Sequence, residues 1–152
     1  MTPNANGGFS YTGATTAGIK TFTYQARDSS GATSNTATVA ITVIANRAPV
    51  AVDDTFSAPV RRNAPPYVAQ VLTVLANDSD PDTAIDPTNV VNPASVTIST
   101  PPNKGGSVTV NGDGTISYTP RLNFKGTEVF AYRVRDNLNS QSNAATVRVN
   151  LN

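Results

Sequence analysis

The stretch Gly126–Leu151, GTEVFAYRVRDNLNSQSNAATVRVNL, has a counterpart near the amino terminus, GIKTFTYQARDSSGATSNTATVAITV over Gly18–Val43, at a constant offset of 108 residues. Ten of the 26 aligned positions are identical, in order Gly, Phe, Tyr, Arg, Asp, Ser, Asn, Ala, Thr and Val. An internal repeat constrains the fold strongly, because both copies must be able to form the same structure.

Each copy reads as a β-hairpin. Phe22, Tyr24 and Ala26 alternate with Thr23, Gln25 and Arg27, and Ala37, Val39, Ile41 and Val43 alternate with Thr38, Ala40 and Thr42. In the second copy Phe130, Tyr132, Val134, Ala145, Val147, Val149 and Leu151 share the inward phase, and Arg133, Arg135 and Arg148 fall outward. A slip of one residue would bury the arginines, so the register is well specified.

Upstream, Gly8–Thr12 matches Thr115–Thr119, which makes the repeat unit about as long as the offset between the hairpins. The chain is then expected to hold the carboxyl-terminal part of one repeat over residues 1–45, a linker at 46–49 and a complete repeat over 50–152. Pro49 supports that boundary, since it blocks ladder pairing and biases Ala48 toward extended backbone. By pattern, residues 1–45 supply three strands, near 8–12, 19–27 and 36–44, too few to cover their own apolar face. The sequence therefore points to neighbouring repeats of the same polypeptide as partners. It also points to self-association through residues 1–45, with another chain or a rearranged part of this one filling the missing layer.

Composition agrees with an all-β fold. Eleven Pro and 10 Gly lie among many Thr, Ser and Asn, there is no Cys, His or Trp, and no helical period persists. Such a chain suits a β-sandwich of ~100 residues plus a fragment. A net charge of +1 with no basic cluster beyond Arg61–Arg62 argues against nucleic-acid binding. No apolar run approaches the ~18 residues of a membrane span and the amino terminus lacks a signal-peptide core, so no membrane insertion is expected.

Within the complete repeat, an edge strand is expected from Val50 and Val52, interrupted by Asp53–Asp54 before Phe56. A strong strand is expected over Val68–Leu75, with others over Ser95–Ser99, Ser107–Val110 and Thr115–Thr119. Asn111-Gly112-Asp113-Gly114 is a hairpin turn, because Asn-Gly and Asp-Gly accept positive φ at little cost. The repeat hairpin closes a unit of about seven strands.

The acidic loop is the main chemical candidate. Four of the nine Asp lie in residues 78–86. Asp78, Asp80 and Asp82 recur at every second position, so their carboxylates converge only if the loop curls around a positive charge. A hard cation such as Ca²⁺ takes roughly six to eight oxygen ligands, which Asn77, backbone carbonyls, and Asp53 and Asp54 from the start of the unit would supplement. The bland alternative is a turn. Asp28 and Asp136 each follow an Arg at matching places, and Asp28-Ser29-Ser30-Gly31 fits a type I turn. Asp80–Pro81 and Asp86–Pro87 read best as turns with a rigid φ. Glu128 is the only Glu, and Lys20, Lys104 and Lys125 sit near turns or strand ends, which argues against an intramolecular isopeptide bond.

The inventory for catalysis is poor, without His, Cys or a Ser in a nucleophile elbow, and a non-enzymatic protein is expected. Sugar binding wants an exposed aromatic platform. Tyr11, Tyr24, Tyr118 and Tyr132 occupy repeated positions, which leaves Tyr67, in the loop Ala58–Tyr67, for a ligand-binding alternative.

Ala48–Asp54, Val74–Asp82, Gly112–Pro120 and Phe130–Asp136 together resemble the cadherin-like, immunoglobulin-like tandem repeats, VCBS-type repeats included, of very large bacterial surface proteins and adhesins. The resemblance spans nearly all of residues 48–152. It implies a Greek-key β-sandwich, an extracellular or cell-surface location in bacteria, and use as spacer, stalk or calcium-stiffened rod. The spacing of Tyr132 and Val134, like that of Tyr24 and Ala26, agrees with a tyrosine corner of the immunoglobulin-like fold. In such chains an aspartate at the place of Asp28 also approaches a metal between repeats, which the resemblance would set beside Asp53 or Asp54. The sequence departs from the pattern after Asp82, where Thr83-Ala84-Ile85-Asp86 replaces a frequent Gly.

Overall fold

All regular structure among the described residues is extended. A computed structural model describes residues 2–4, 6–12, 16–60 and 69–152, and the chain divides into two units, Met1–Ala45 and Asn46–Asn152.

In the first unit, β1 (Thr2–Pro3) pairs with β2 (Phe9–Ser10), and β3 (Gly18–Tyr24) forms an antiparallel hairpin with β4 (Ala37–Val43). The Phe9 ring lies 5.0 Å from Phe22 and 5.4 Å from Tyr24, centroid to centroid. No described residue of this unit is buried.

The second unit has seven strands: β5 (Asp54–Ala58), β6 (Gln70–Leu72), β7 (Val91–Thr100), β8 (Ser107–Val110), β9 (Ile116–Thr119), β10 (Gly126–Asp136) and β11 (Ala145–Leu151). They form one sheet in the order β5-β11-β10-β7 and another in the order β6-β9-β8. β5 runs parallel to β11, whereas the other pairs are antiparallel. Leu72, Ile116 and Tyr118 from the smaller sheet, with Val74 just past β6, share one core with Phe130, Tyr132, Val134, Ala145, Val147, Val149 and Leu151. This is the all-β sandwich expected, and the period-two pattern of β10 is realised from Glu128 to Asp136, every second residue being buried.

The two hairpins share a register: Gly18 pairs with Val43 as Gly126 pairs with Leu151, and Tyr24 with Ala37 as Tyr132 with Ala145. Their turns agree as well. Ala32 N donates to Asp28 Oδ1 as Ser140 N donates to Asp136 Oδ1, each at 2.8 Å. Positive φ falls at Gly31 and at its counterpart Asn139. The copies differ in cover, since Phe130 and Tyr132 are buried whereas Tyr24 is 40% exposed.

Three local expectations change. The first strand of the second unit begins at Asp54, because Val50 makes only an isolated bridge to Ser79. The strand expected over Val68–Leu75 is short, Gln70–Leu72, since the chain turns at Val74–Asn77; Val68 itself lies outside the described residues. β7 starts at Val91 and so contains Pro93, next to the register shift opposite Arg133–Arg135, where an irregular ladder tolerates a residue without an N–H.

Candidate metal centre

The second unit begins by fastening itself to the acidic loop. Val50 and Ser79 exchange backbone hydrogen bonds of 2.8 and 3.1 Å, which sets Asn46–Pro49 beside Asp80–Asp82. Arg47 then grips Asp82: its backbone N–H donates to Oδ2 at 2.6 Å and its Nε to Oδ1 at 2.7 Å, while Nη2 donates to the Pro81 carbonyl at 2.6 Å. These donors hold the Asp82 carboxyl below its ordinary value, the backbone N–H most of all. Asp80 accepts from Asp82 N through Oδ1 at 2.8 Å, whereas its buried Oδ2 has no partner.

Asn46 extends the cluster. Its Nδ2 donates to Asp136 Oδ2 at 2.8 Å and to Ser140 Oγ, and its Oδ1 accepts from Asn89 Nδ2. Asn89 is 3% exposed, and its Oδ1 also lacks a donor. Through the Asn46–Arg47 peptide, Asp80, Asp82, Asn89 and Asp136 thus join one network carrying two buried oxygens without partners. Asn46 and Arg47, expected in a linker, are tied into the second unit.

Asp78 belongs to a different group. Its Oδ1 accepts from Val52 N at 2.8 Å, and its Oδ2 from the Tyr132 hydroxyl at 2.8 Å, which also lies 2.7 Å from the Val74 carbonyl. Tyr132 therefore reaches a segment far away in sequence rather than the backbone a few residues upstream, as a tyrosine corner would. Asp54 is 7% exposed with an unpartnered Oδ2; burial first, then the charge of Asp78, pushes its carboxyl up to about 6. Burial also raises Asp78. Asn77 Nδ2 donates to the Asp53 carbonyl at 3.3 Å, Asp53 Oδ1 accepts from Thr146 N at 2.7 Å, and Asp53 Oδ2 lies 3.6 Å from Arg148 Nη1.

The geometry distributes the residues expected as a single site, Asn77, Asp78, Asp80, Asp82, Asp53 and Asp54, over separate hydrogen-bonded groups. Among the described residues no three acidic side chains converge as a metal-holding group. Asp78 is occupied in holding Tyr132 and Val52. The Asp54–Asp78 pair can relieve its repulsion by keeping a proton. Asp80, Asp82 and Asp136 likewise form no such metal-holding group, and what sets the network of Asn46, Asp80, Asp82, Asn89 and Asp136 apart is its two buried oxygens without donors. Its potential ligands are oxygens, three of these residues are carboxylates, and its orphaned oxygens leave acceptor capacity that burial makes costly to waste. The sequence did not single out Asn46 or Asn89, which join this hydrogen-bond network, and the signal for Asp136 was its match to Asp28. Asp28 itself organises a turn, its Oδ1 accepting from Ser30 N, Ser30 Oγ and Ala32 N. Tyr67, with residues 61–66 of its loop, lies outside the described residues.

The family model described as bacterial cadherin-like domain matches residues 46–152. Comparison with curated proteins gives no match. Among solved structures, an endo-fucoidan hydrolase from glycoside hydrolase family 107 aligns with a TM-score of 0.41 and 17% identity, over 90% of this chain and 19% of that one.

Proposed function

We propose that this chain, which belongs through residues 46–152 to the bacterial cadherin-like domain family, is a spacer or stalk module of a secreted or cell-surface bacterial adhesin, stiffened by calcium. Asp80, Asp82, Asn89, Asn46 and Asp136 would hold the ion, and it would lock the entry of the chain onto the acidic loop. The observation that carries the calcium reading is the pair of buried oxygens without donors, Asp80 Oδ2 and Asn89 Oδ1, in one acidic network.

The role is mechanical rather than catalytic. Apart from Asp54, the polar side chains buried in the second unit hold backbone or one another, and a cleft of about 280 Å³ beside Leu75, Pro93 and Gly114 has one ionisable side chain, Asp113, turned to Thr115. Replacing residues 46–152 in the parent polypeptide by an unrelated sandwich of equal length tests the reading. Surface display and adhesion persist for a spacer; loss of adhesion with display intact would instead assign ligand binding to the module.

One observation favours a second reading. Phe9 and Tyr24 of the first unit, packed with Phe22 on one face of its hairpin, are each 40% exposed, an apolar surface suited to a second copy of the chain. Sedimentation would then show oligomers that deletion of residues 1–45 abolishes; a monomer at all concentrations would dismiss this reading.

A further inference from the structure

We infer that the first unit is an acceptor for a further half-repeat, not contained in residues 1–152, that supplies three strands in the roles of β5, β6 and β7 and presents oxygen acceptors to Lys20. Among the described residues, Met1–Ala45 is built as a second copy of β8–β11 alone. β1 pairs with β2 as β8 pairs with β9, with Thr2 opposite Ser10 as Thr109 is opposite Ser117. The turns between them match. Gly7 N donates to the Asn4 carbonyl at 3.1 Å as Gly114 N donates to that of Asn111 at 3.0 Å, and both glycines have positive φ. Asn4 Nδ2 donates to Ser10 Oγ as Asn111 Nδ2 donates to Ser117 Oγ. β3 and β4 continue the match as β10 and β11.

The second unit shows what such a half requires. β5 runs parallel along β11, β7 antiparallel along β10 and β6 antiparallel along β9. These three strands are consecutive in sequence, within residues 54–100, so one continuous segment closes both sheets. Transferred through the repeat, its strands would lie along residues 39–43, 23–28 and 9–11. The side chains there already have the right phase. Ala37, Val39, Ile41 and Val43 are the half-buried positions of β4, as Ala145, Val147, Val149 and Leu151 are the buried positions of β11, so they lack only a cover. A second copy could lend its residues 54–100 only by uncovering its own β8–β11, so exchange between copies gains no covered face. The occupant is therefore a separate segment with the strand order and apolar alternation of β5–β7.

One position sets the chemistry of that segment. Lys20, half-buried on β3 opposite Ile41, stands where Glu128 stands on β10 opposite Val149. Glu128 accepts the backbone N–H groups of Lys104 and Gly106, in the turn that leads from β7 into β8. An ammonium can only donate, so Lys20 opposes that arrangement and requires carbonyl or carboxylate oxygens at the same turn. The reversal of charge keeps residues 54–100 of this chain from being captured by the first unit, and it selects an occupant whose last turn is acidic. The inference is independent of the calcium reading.

The test joins residues 46–108 directly ahead of Thr2 in the full chain, with Lys20 retained or with Lys20→Glu, and follows amide hydrogen exchange across β3 and β4. The grafted segment carries the Lys104–Gly106 turn, so the Lys20→Glu graft is expected to slow exchange by on the order of tenfold or more against the ungrafted chain, and the Lys20 graft by distinctly less. Lys20→Gln, which has both donor and acceptor, should lie between them and serves if the glutamate variant folds poorly. Lys20→Glu without the graft should leave exchange unchanged, a result that a purely local effect on the hairpin would not give. No slowing in any graft would overturn the acceptor face, and equal slowing in all of them would overturn selection by Lys20. Sedimentation of the ungrafted chain checks the other occupant: a dimer in which exchange is already slow, and which grafting leaves unaffected, would assign the face to a second copy and contradict the inference.

Discussion

Glu128 is the most exposed point of the sandwich to a single change. It is fully buried on β10, and its carboxylate accepts from Lys104 N, from Gly106 N at 3.0 Å and from the Tyr118 hydroxyl at 2.9 Å. Those donors come from the turn before β8 and from β9, so one side chain ties the end of β7, the smaller sheet and β10 together. Glu128→Gln keeps the shape, but its NH₂ must face at least one backbone N–H. An orphaned buried donor costs about 1–3 kcal/mol, and bonds to a charged acceptor contribute more than neutral ones, so the loss should total about 3 kcal/mol. For a unit of this size that lowers the melting temperature by on the order of 12 °C or more. Equilibrium urea unfolding followed by far-ultraviolet circular dichroism measures it. Gly106→Ala is a matched perturbation from the other side, because a Cβ there would stand 2.3 Å from Glu128 Oε2 and 2.8 Å from Tyr118 Cε2. The double variant should lose less than the sum of the single losses. A loss of less than about 0.5 kcal/mol in Glu128→Gln would refute the reasoning, since surface-like changes stay within that range.

Two further outcomes follow from the other buried groups. Burial and the charge of Asp78 raise the Asp54 carboxyl from 3.8 to about 6 in the folded chain, so between those values the folded state holds a proton that the unfolded chain has released. Stability contributed by Asp54 therefore falls as pH rises from about 4 to about 6 and stays lower above it. Asp54→Asn should remove that slope and stabilise the chain at pH 7 by about 1 kcal/mol, less than the ~3 kcal/mol of a two-unit shift because the buried amide still brings polar atoms that need partners. Melting curves across pH check this, and parallel pH profiles for the two proteins would sink it. Tyr132→Phe strips the donor shared by the Val74 carbonyl and Asp78 Oδ2, and should cost about 1–3 kcal/mol in the same urea assay.

The hairpin β10–β11 was legible because its signal is local. A period of two, with arginines on the outward phase, fixes the register without knowledge of the partner sheet. The start of β5 was not, since Val50 and Val52 look like a strand while their backbone is taken up by Ser79 and Asp78. The grouping of the acidic loop was hidden for a similar reason. Even spacing makes Asp78, Asp80 and Asp82 equivalent in sequence, but Tyr132, 54 residues away, captures the first and Arg47, 35 residues away, the last. Asn46, Asn89 and Asp136 were hidden because only the folded sandwich brings segments so distant together. Glu128 was conspicuous as the only Glu, yet its three donors depend on the path of the turn before β8.

The central claim is that calcium binds the network of Asp80, Asn89, Asn46, Asp82 and Asp136 and stiffens the unit. Melting the metal-stripped chain with and without calcium tests it most directly. At ten times the dissociation constant, ligand linkage contributes about 1.4 kcal/mol, a rise of about 5–10 °C for a unit of this size. The account predicts a saturable rise of that order that Asp80→Asn abolishes and Asp78→Asn leaves in place. An unchanged melting temperature at saturating calcium, or a rise that survives Asp80→Asn, would contradict it.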